Sequence, residues 1–413
     1  MTKTMDSHRE DAFKCMRCGL CQTVCPIYAE LYSEPSVARG KVRLIRELID
    51  GKLEVTPRLK EIMDLCLDCK ACVANCPAMV PTNELIFAAR AYITSKEGLP
   101  LPMKGVLQGL SSNSLQEFGR MLMHFYQSSG VQKIVRGSGV VNAISEDLAH
   151  KESMMPIIAS PGFRSIAPLL AGRKKGGMKV AYFVSCMTHL TGTELGRKLI
   201  TVLEHHGCEV IIPTDVRCCG TPHLAYGDVE GAAELAKHNM AVLNACGAEA
   251  IVTDCATCGS ALKNYDKLVT GSDDFAKKVY DISEFLVKVT GIKPGPVKNE
   301  LVVTYHDPCH LNRGQGEGAA ALAVIRSIPG LTFKQMPEAD RCCGGAGSFG
   351  INHYDLSMGI LDRKIANVKS VNPQLVLTSC PACKMQLQHG LQRNSLDIAV
   401  KHPIELLADT YEV

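Results

Sequence analysis

The chain has 413 residues, 46% of them hydrophobic, enough for two or three domains with ordinary cores. Trp is absent and aromatics reach only 5%, which excludes an aromatic-rich binding surface, and a formal charge of +3 is no argument for nucleic acid. The 20 cysteines invite a secreted disulfide framework, but Met1–Phe13 is polar and charged with no apolar signal core.

The first element in chain order is Cys15-x2-Cys18-x2-Cys21-x3-Cys25-Pro26. This is the ligand spacing of bacterial [4Fe–4S] ferredoxins, and it recurs at Cys66-x2-Cys69-x2-Cys72-x3-Cys76-Pro77. Thiolates three positions apart in a tight turn converge on one cubane, while the cysteine before Pro turns away to the other cluster. Cluster one is therefore expected on Cys15, Cys18, Cys21 and Cys76, and cluster two on Cys66, Cys69, Cys72 and Cys25. A single run could be chance or a zinc knuckle; two complete copies favour iron–sulfur. Labile clusters and free thiolates suit a reducing, cytoplasmic compartment.

Between the runs, Val42, Ile45, Leu48 and Ile49 share one helical face, and Gly51 marks a stop. Leu59, Ile62 and Met63 give a second short helix, so this region is expected to be helical. Arg39, Lys41, Arg43 and Arg46 could neutralise cluster charge, but for most of them a solvated helix face is the expectation. Residues 95–178 carry no cysteine. Leu99-Pro-Leu-Pro102 breaks the chain, Leu115–Phe125 reads as a helix, and Met154–Gly177, rich in Pro and Gly, reads as a linker.

Everything after Met178 is a repeat. Cys186, Cys218, Cys219, Cys255 and Cys258 reappear as Cys309, Cys342, Cys343, Cys380 and Cys383, at offsets of about 124 residues. Strands are expected at Lys179–Val184, Glu209–Ile212 and Ala250–Thr253, and in the second copy at Leu301–Tyr305 and Leu375–Thr378. Helices are expected at Gly196–His205 and Asp228–Asn244. Cysteines at the carboxyl ends of parallel strands would converge on one crevice per repeat. Adjacent cysteines point apart and suit two different irons, and five thiolates exceed the four of a cubane, which favours a noncubane cluster. The alternative is a four-thiolate zinc site, which leaves a fifth cysteine idle. Gly220 and Gly344-Gly345 would let the backbone approach inorganic sulfur.

Gly345-x-Gly347-x2-Gly350 matches a dinucleotide fingerprint but follows Cys-Cys-Gly and not a strand, so it is read as a decoy and no flavin is expected on this chain. Cys208 and Cys246 lie outside both repeats and read as buried structural thiols. His306, His310, His189 and His223 lie near the repeat cysteines; ordinary hydrogen-bonded histidine is the expectation for each, with proton relay or sulfide bonding the alternative. No apolar run reaches 18 residues, so no helix is expected to span a membrane.

The repeats, one Cys, then Cys-Cys-Gly, then C-x2-C, resemble the CCG domains of heterodisulfide reductase. The whole chain resembles the iron–sulfur subunits of glycolate oxidase, of lactate utilisation and of anaerobic glycerol-3-phosphate dehydrogenase. Ala38-Arg-Gly-Lys-Val-Arg-Leu-Ile, Cys66-Leu-Asp-Cys69 and Cys342-Cys343-Gly344 carry the likeness. In the glycolate oxidase branch one CCG motif is often incomplete; here both are complete. The resemblance implies a helical two-cluster ferredoxin domain (1–95), a helical segment and linker (96–177) and two duplicated α/β CCG domains (178–292 and 293–413). It implies two [4Fe–4S] cubanes and one noncubane [4Fe–4S] cluster per CCG domain. It further implies an FAD-containing partner that oxidises glycolate or lactate, electron transfer to an acceptor such as a quinone, and peripheral membrane association through partners. With four clusters at about −2 each, the loaded chain would carry roughly −5. Disulfide reduction at a CCG cluster, and zinc-stabilised interaction modules, are the rival expectations.

Overall fold

The computed structural model describes residues 5–296 and 300–411; of the expected domains, only 1–4, 297–299 and 412–413 lie outside it. The first region is helical, as expected. The Ala38–Ile49 helix buries Val42 and Ile45, with Leu48 and Ile49 packed at the edge of the same core. Thr56 caps the Pro57–Asp64 helix by accepting the Leu59 N–H at 3.2 Å, and Leu59, Ile62 and Met63 turn inward. The Thr82–Glu97 helix closes this core with Leu85, Ile86, Ala89 and Ile93. Each such Leu or Ile side chain contributes about 1.5–3 kcal/mol on burial.

The middle of the chain is more helical than expected. Helices run over Leu101–Ser111, Asn113–Ser128, Val131–Ser138, Val140–Ile144 and Glu146–Ser153. The expected linker Met154–Gly177 contains a further helix, Phe163–Leu170, with Pro168 inside it. Phe163, Ala167 and Leu170 form a stripe that packs into the core of the first α/β domain. Their burial outweighs the proline penalty. The Phe163 ring lies against Gly196, where a Cβ would sit 2.5 Å from Cε2.

Each repeat folds into a four-stranded, all-parallel sheet. Strands β1 (Met178–Tyr182), β2 (Cys208–Ile211), β3 (Ala250–Thr253) and β4 (Val279–Asp281) are ordered β2-β1-β3-β4. Strands β5 (Leu301–Tyr305), β6 (Leu331–Phe333), β7 (Leu375–Leu377) and β8 (Ala399–Lys401) repeat that order. Val180 pairs with Val210 on one side and Ala250 on the other; Val303 pairs likewise with Phe333 and Leu375. The three-residue strands β4, β6 and β8 are too short to show a period in sequence.

The two sheets share one core, in which Val180, Val252 and Leu199 join Val303, Leu377 and Leu407. The packing is reciprocal. The Thr193–His205 helix of the first repeat lies on the Pro403–Asp409 helix of the second, and the Gly318–Ser327 helix of the second lies on Ile282–Phe285 of the first. That pseudo-two-fold exchange is the isologous contact expected of a duplicated domain.

Candidate metal centres

In each ferredoxin-type run the backbone kinks into the left-handed region twice. Arg17 (φ 60°) and Gly19 (φ 91°) do so in the first run, and Asp68 (φ 49°) and Lys70 (φ 56°) at the matching places in the second. These kinks swing successive cysteines inward. Three of the four sites are not glycine, a strain of about 1 kcal/mol or more each that the loops sustain at a functional site. Cys15, Cys18, Cys21, Cys72 and Cys76 line one open cavity. Cys25, Cys66, Cys69 and Cys72 line a second. The cysteine before each proline thus reaches the cavity of the other run, and Cys72 borders both. The Val80 N–H donates to Cys76 Sγ at 3.5 Å.

In the repeats the cysteines stand at the carboxyl ends of their strands. Cys186 and Cys309 follow β1 and β5, Cys255 and Cys380 follow β3 and β7, and the Cys-Cys pairs lie on the loops after β2 and β6. All five of each copy come together. In the first, Cys186 adjoins Cys218, and Cys219 adjoins both Cys218 and Cys258, with Cys255 beside Cys258. The second repeats this: Cys309 adjoins Cys342, Cys343 adjoins Cys342 and Cys383, and Cys380 adjoins Cys383. Two neighbouring thiols donating to it hold Cys219 well below the usual thiol range, and Cys343 likewise, while Cys218 and Cys383 are pushed well above it. Gly220 and Gly344 take positive φ of 88° and 87°, and a Cβ there would meet Ala232 and Ser357, so these glycines also serve packing on the following helix.

Cations accompany the sites; sequence patterning offered Lys41 and Arg46 only as an alternative to a solvated face, and did not place Lys364 or Arg164. The solvated face holds for Arg43, paired with Glu47 at 2.7 Å, and fails for Lys41, which is 2% exposed and lines the second cavity. Its Nζ donates to the carbonyls of Ser36 (2.5 Å) and Leu65 (2.9 Å), and burial lowers its pKa. Arg46 is also drawn inward, donating to the carbonyls of Ala12 and Cys15. Lys364, 1% exposed, donates to the Glu338 and Ala339 carbonyls beside Cys342 and Cys343; burial lowers its pKa to about 8. Arg164, near Cys186 and Cys218, donates to Asn113, Gln116 and the Val184 carbonyl, and burial lowers its pKa. Among the described residues Lys41, Lys364 and Arg164 have no carboxylate within salt-bridge distance. An unpaired buried cation is costly. Clusters capped by thiolates are anionic and would supply the missing counter-charge. The donor set therefore fits the expected groups. Arg164 lies in the segment that reads as linker and Lys364 in a mixed helix, so nothing local marks either.

The histidines diverge. His189 is satisfied, with Nε2 3.1 Å from Glu117 and Nδ1 accepting the Arg164 N–H; burial lowers its pKa to about 4. His223 bonds Ser111 at 2.9 Å. His310 lies between Cys309 Sγ (3.8 Å) and Asp68 (3.1 Å), so it joins the second repeat to the ferredoxin-like loop. His306 is buried without a hydrogen bond of ordinary geometry to either ring nitrogen, which departs from the satisfied histidine expected. Cys208 is buried as expected, whereas Cys246 is only half-buried, its thiol donating to the Val242 carbonyl at 3.2 Å.

The four sites form one series. The Cys69 thiol is raised well above its usual range by burial and then by Cys342 and Cys309, which places the second ferredoxin-type site against the second repeat. Arg313 fixes that contact by donating to the Cys69 carbonyl at 2.8 Å. Cys255 adjoins its own repeat-mate Cys380, and the Ala256 N–H donates to the Ser379 carbonyl across the pseudo-axis.

Comparison with known proteins agrees with this organisation. The 4Fe-4S dicluster domain family matches residues 11–80, and the cysteine-rich CCG domain family matches 180–263 and 303–388. The chain is 31% identical to the probable glycolate oxidase iron-sulfur subunit of Bacillus subtilis, over 97% of this chain and 94% of that protein. It is 24% identical to the glycolate oxidase iron-sulfur subunit of Escherichia coli, over 96% and 94%. It is 28% identical to a subunit of the fumarate reductase (CoM/CoB) of Methanothermobacter marburgensis, over 96% of this chain and 72% of that one. A dicluster ferredoxin-like region ahead of two complete CCG repeats, aligned almost end to end with such a relative, means that this chain belongs to the family of glycolate oxidase iron-sulfur subunits.

Proposed function

We propose that the chain is the electron-transfer subunit of a cytoplasmic-side 2-hydroxyacid oxidoreductase. An FAD-containing partner takes electrons from glycolate or lactate, and this chain relays them to an acceptor such as a quinone. The carrying observation is the unbroken series of four cysteine sites, from the first ferredoxin-type cavity through the second to the second repeat and on to the first. The clusters, when bound, carry electrons one at a time. The chain's own residues ligate, exclude water and place cations. In this reading Cys15, Cys18, Cys21 and Cys76 hold one cubane and Cys25, Cys66, Cys69 and Cys72 the other. The five cysteines of each repeat hold a noncubane cluster.

Peripheral placement on an anionic membrane, where a quinone dissolves, is supported by the Asn113–Ser128 helix. Leu115, Phe118, Met121, Leu122 and Phe125 form an exposed apolar face on it, in a segment that also carries Lys133, Arg173, Lys174 and Lys175. Among the described residues no helix is long and apolar enough to cross a membrane.

Reconstitution tests the reading. The purified flavin-free chain should not oxidise glycolate or lactate, yet should accept electrons once the flavoprotein is added. Cys342→Ala or Cys218→Ala should slow delivery to the acceptor and leave flavin reduction by substrate intact. Substrate oxidation by the isolated chain would overturn it. Metal analysis should give roughly 16 irons per chain; about 8 with stoichiometric zinc would replace the CCG clusters by structural sites. A second reading, disulfide reduction as in heterodisulfide reductase, is favoured by one feature: both CCG sites are complete and meet at Cys255 and Cys380. Turnover of a disulfide by the isolated, chemically reduced chain would select it.

A further inference from the structure

Neither ring nitrogen of His306 makes a hydrogen bond of ordinary geometry among the described residues, though the Ala339 backbone lies near the ring. It is 1% exposed, on the short stretch between β5 and Cys309, and only its backbone N–H is spoken for, by the Leu377 carbonyl at 2.9 Å. Leaving buried polar atoms unpaired is costly. A ring nitrogen, Cys343 Sγ and Cys383 Sγ all lie within 4.8 Å of one another. Ligand atoms around one tetrahedral metal sit roughly 3.5–4 Å apart, so these three need only a small contraction to share a metal.

The duplication supplies an internal control. The offset that carries Cys186 onto Cys309 carries Phe183 onto His306. Phe183 is buried in the shared core. The fold therefore accepts a plain apolar ring at this place, and the nitrogen answers to something other than packing.

We propose that His306 supplies a nitrogen ligand to the metal group held at the second CCG site, alongside Cys343 and Cys383, and that the two CCG sites are therefore chemically unlike. This rests on the proposal that the repeats hold metal clusters. With the imidazole in the place of one of the five thiolates on the cluster, negative charge is removed and the reduction potential rises, as in His-ligated compared with all-Cys clusters. The second site, nearer the cubanes, would then be the more oxidising of the pair.

The test uses the intact, cluster-loaded chain with 15N-histidine, read by pulsed EPR. One of the two CCG signals should show a directly bound nitrogen, with the coupling changing between 14N and 15N. In His306→Phe, the residue of the first repeat, that coupling should vanish, the signal's potential should fall, and iron content should hold. Absence of a bound nitrogen in the labelled wild-type protein overturns the inference, and needs no variant to fold. An unchanged spectrum in iron-replete His306→Phe does so too. Should metal analysis find zinc in the repeats, the electron-transfer reading of those sites fails separately, and zinc-edge absorption then decides the same question by showing or lacking a nitrogen scatterer.

Discussion

Replacing Lys41 by Met removes one buried charge and little volume. In the wild type the ammonium lies beside Cys25 and Cys66, held by two carbonyls and by no carboxylate among the described residues. Two unit charges about 7 Å apart at an effective dielectric of about 20 interact by about 2.4 kcal/mol. For a one-electron couple that is about 100 mV, taking 59 mV per tenfold change. Lys41→Met should therefore lower the potential of the cluster at Cys25, Cys66, Cys69 and Cys72 by about that amount, because the reduced, more negative state loses its counter-charge. The cluster at Cys15, Cys18, Cys21 and Cys76 lies farther off and should move by less than about a third of it. An EPR-monitored redox titration resolves the two signals. Equal shifts of both, or no shift beyond about 20 mV in either, would refute the idea that this cation is matched to the second cluster.

Other expectations follow from particular contacts. Cys25→Ser should damage the cluster of Cys66, Cys69 and Cys72, and Cys76→Ser the cluster of Cys15, Cys18 and Cys21; loss confined to the mutated run's own neighbours in EPR would disprove the crossed ligation. Burial raises the Asp281 pKa to about 7, against the opposing Ser283 N–H. Its protonated form is favoured in the fold, so its penalty is absent below about pH 4 and grows as pH rises to about 7. Asp281→Asn can still accept from Ser283 and should gain up to about 2 kcal/mol on wild type between pH 5 and pH 8; a pH-independent difference in Tm would contradict this. Gly227, at φ 76°, would place a Cβ 2.5 Å from the Arg90 carbonyl, at the junction of the ferredoxin-like region and the first repeat. Gly227→Ala should cost about 2 kcal/mol or more, visible as a fall in Tm, and an unchanged Tm would show that this junction yields.

The two cysteine runs, the duplication and the strands that end at cysteines were legible because each depends on spacing along the chain. Ala250–Thr253 and Leu301–Tyr305 are residue for residue where the pattern put them. Cysteine spacing and a period of two or 3.6 are local properties, and local geometry is what a sequence writes down directly. The Phe163–Leu170 helix was hidden because Pro168 and the neighbouring glycines outvote its stripe until a core exists to bury it. Lys41 looked like surface because helical position alone cannot say what lies opposite; the Leu65 carbonyl that holds it is 24 residues away. Lys364, Arg164 and the unpartnered ring of His306 belong to the same class. Their meaning is set by burial and by charges brought in from distant segments, and the free energy of a buried polar group depends on those neighbours and not on its place in the chain.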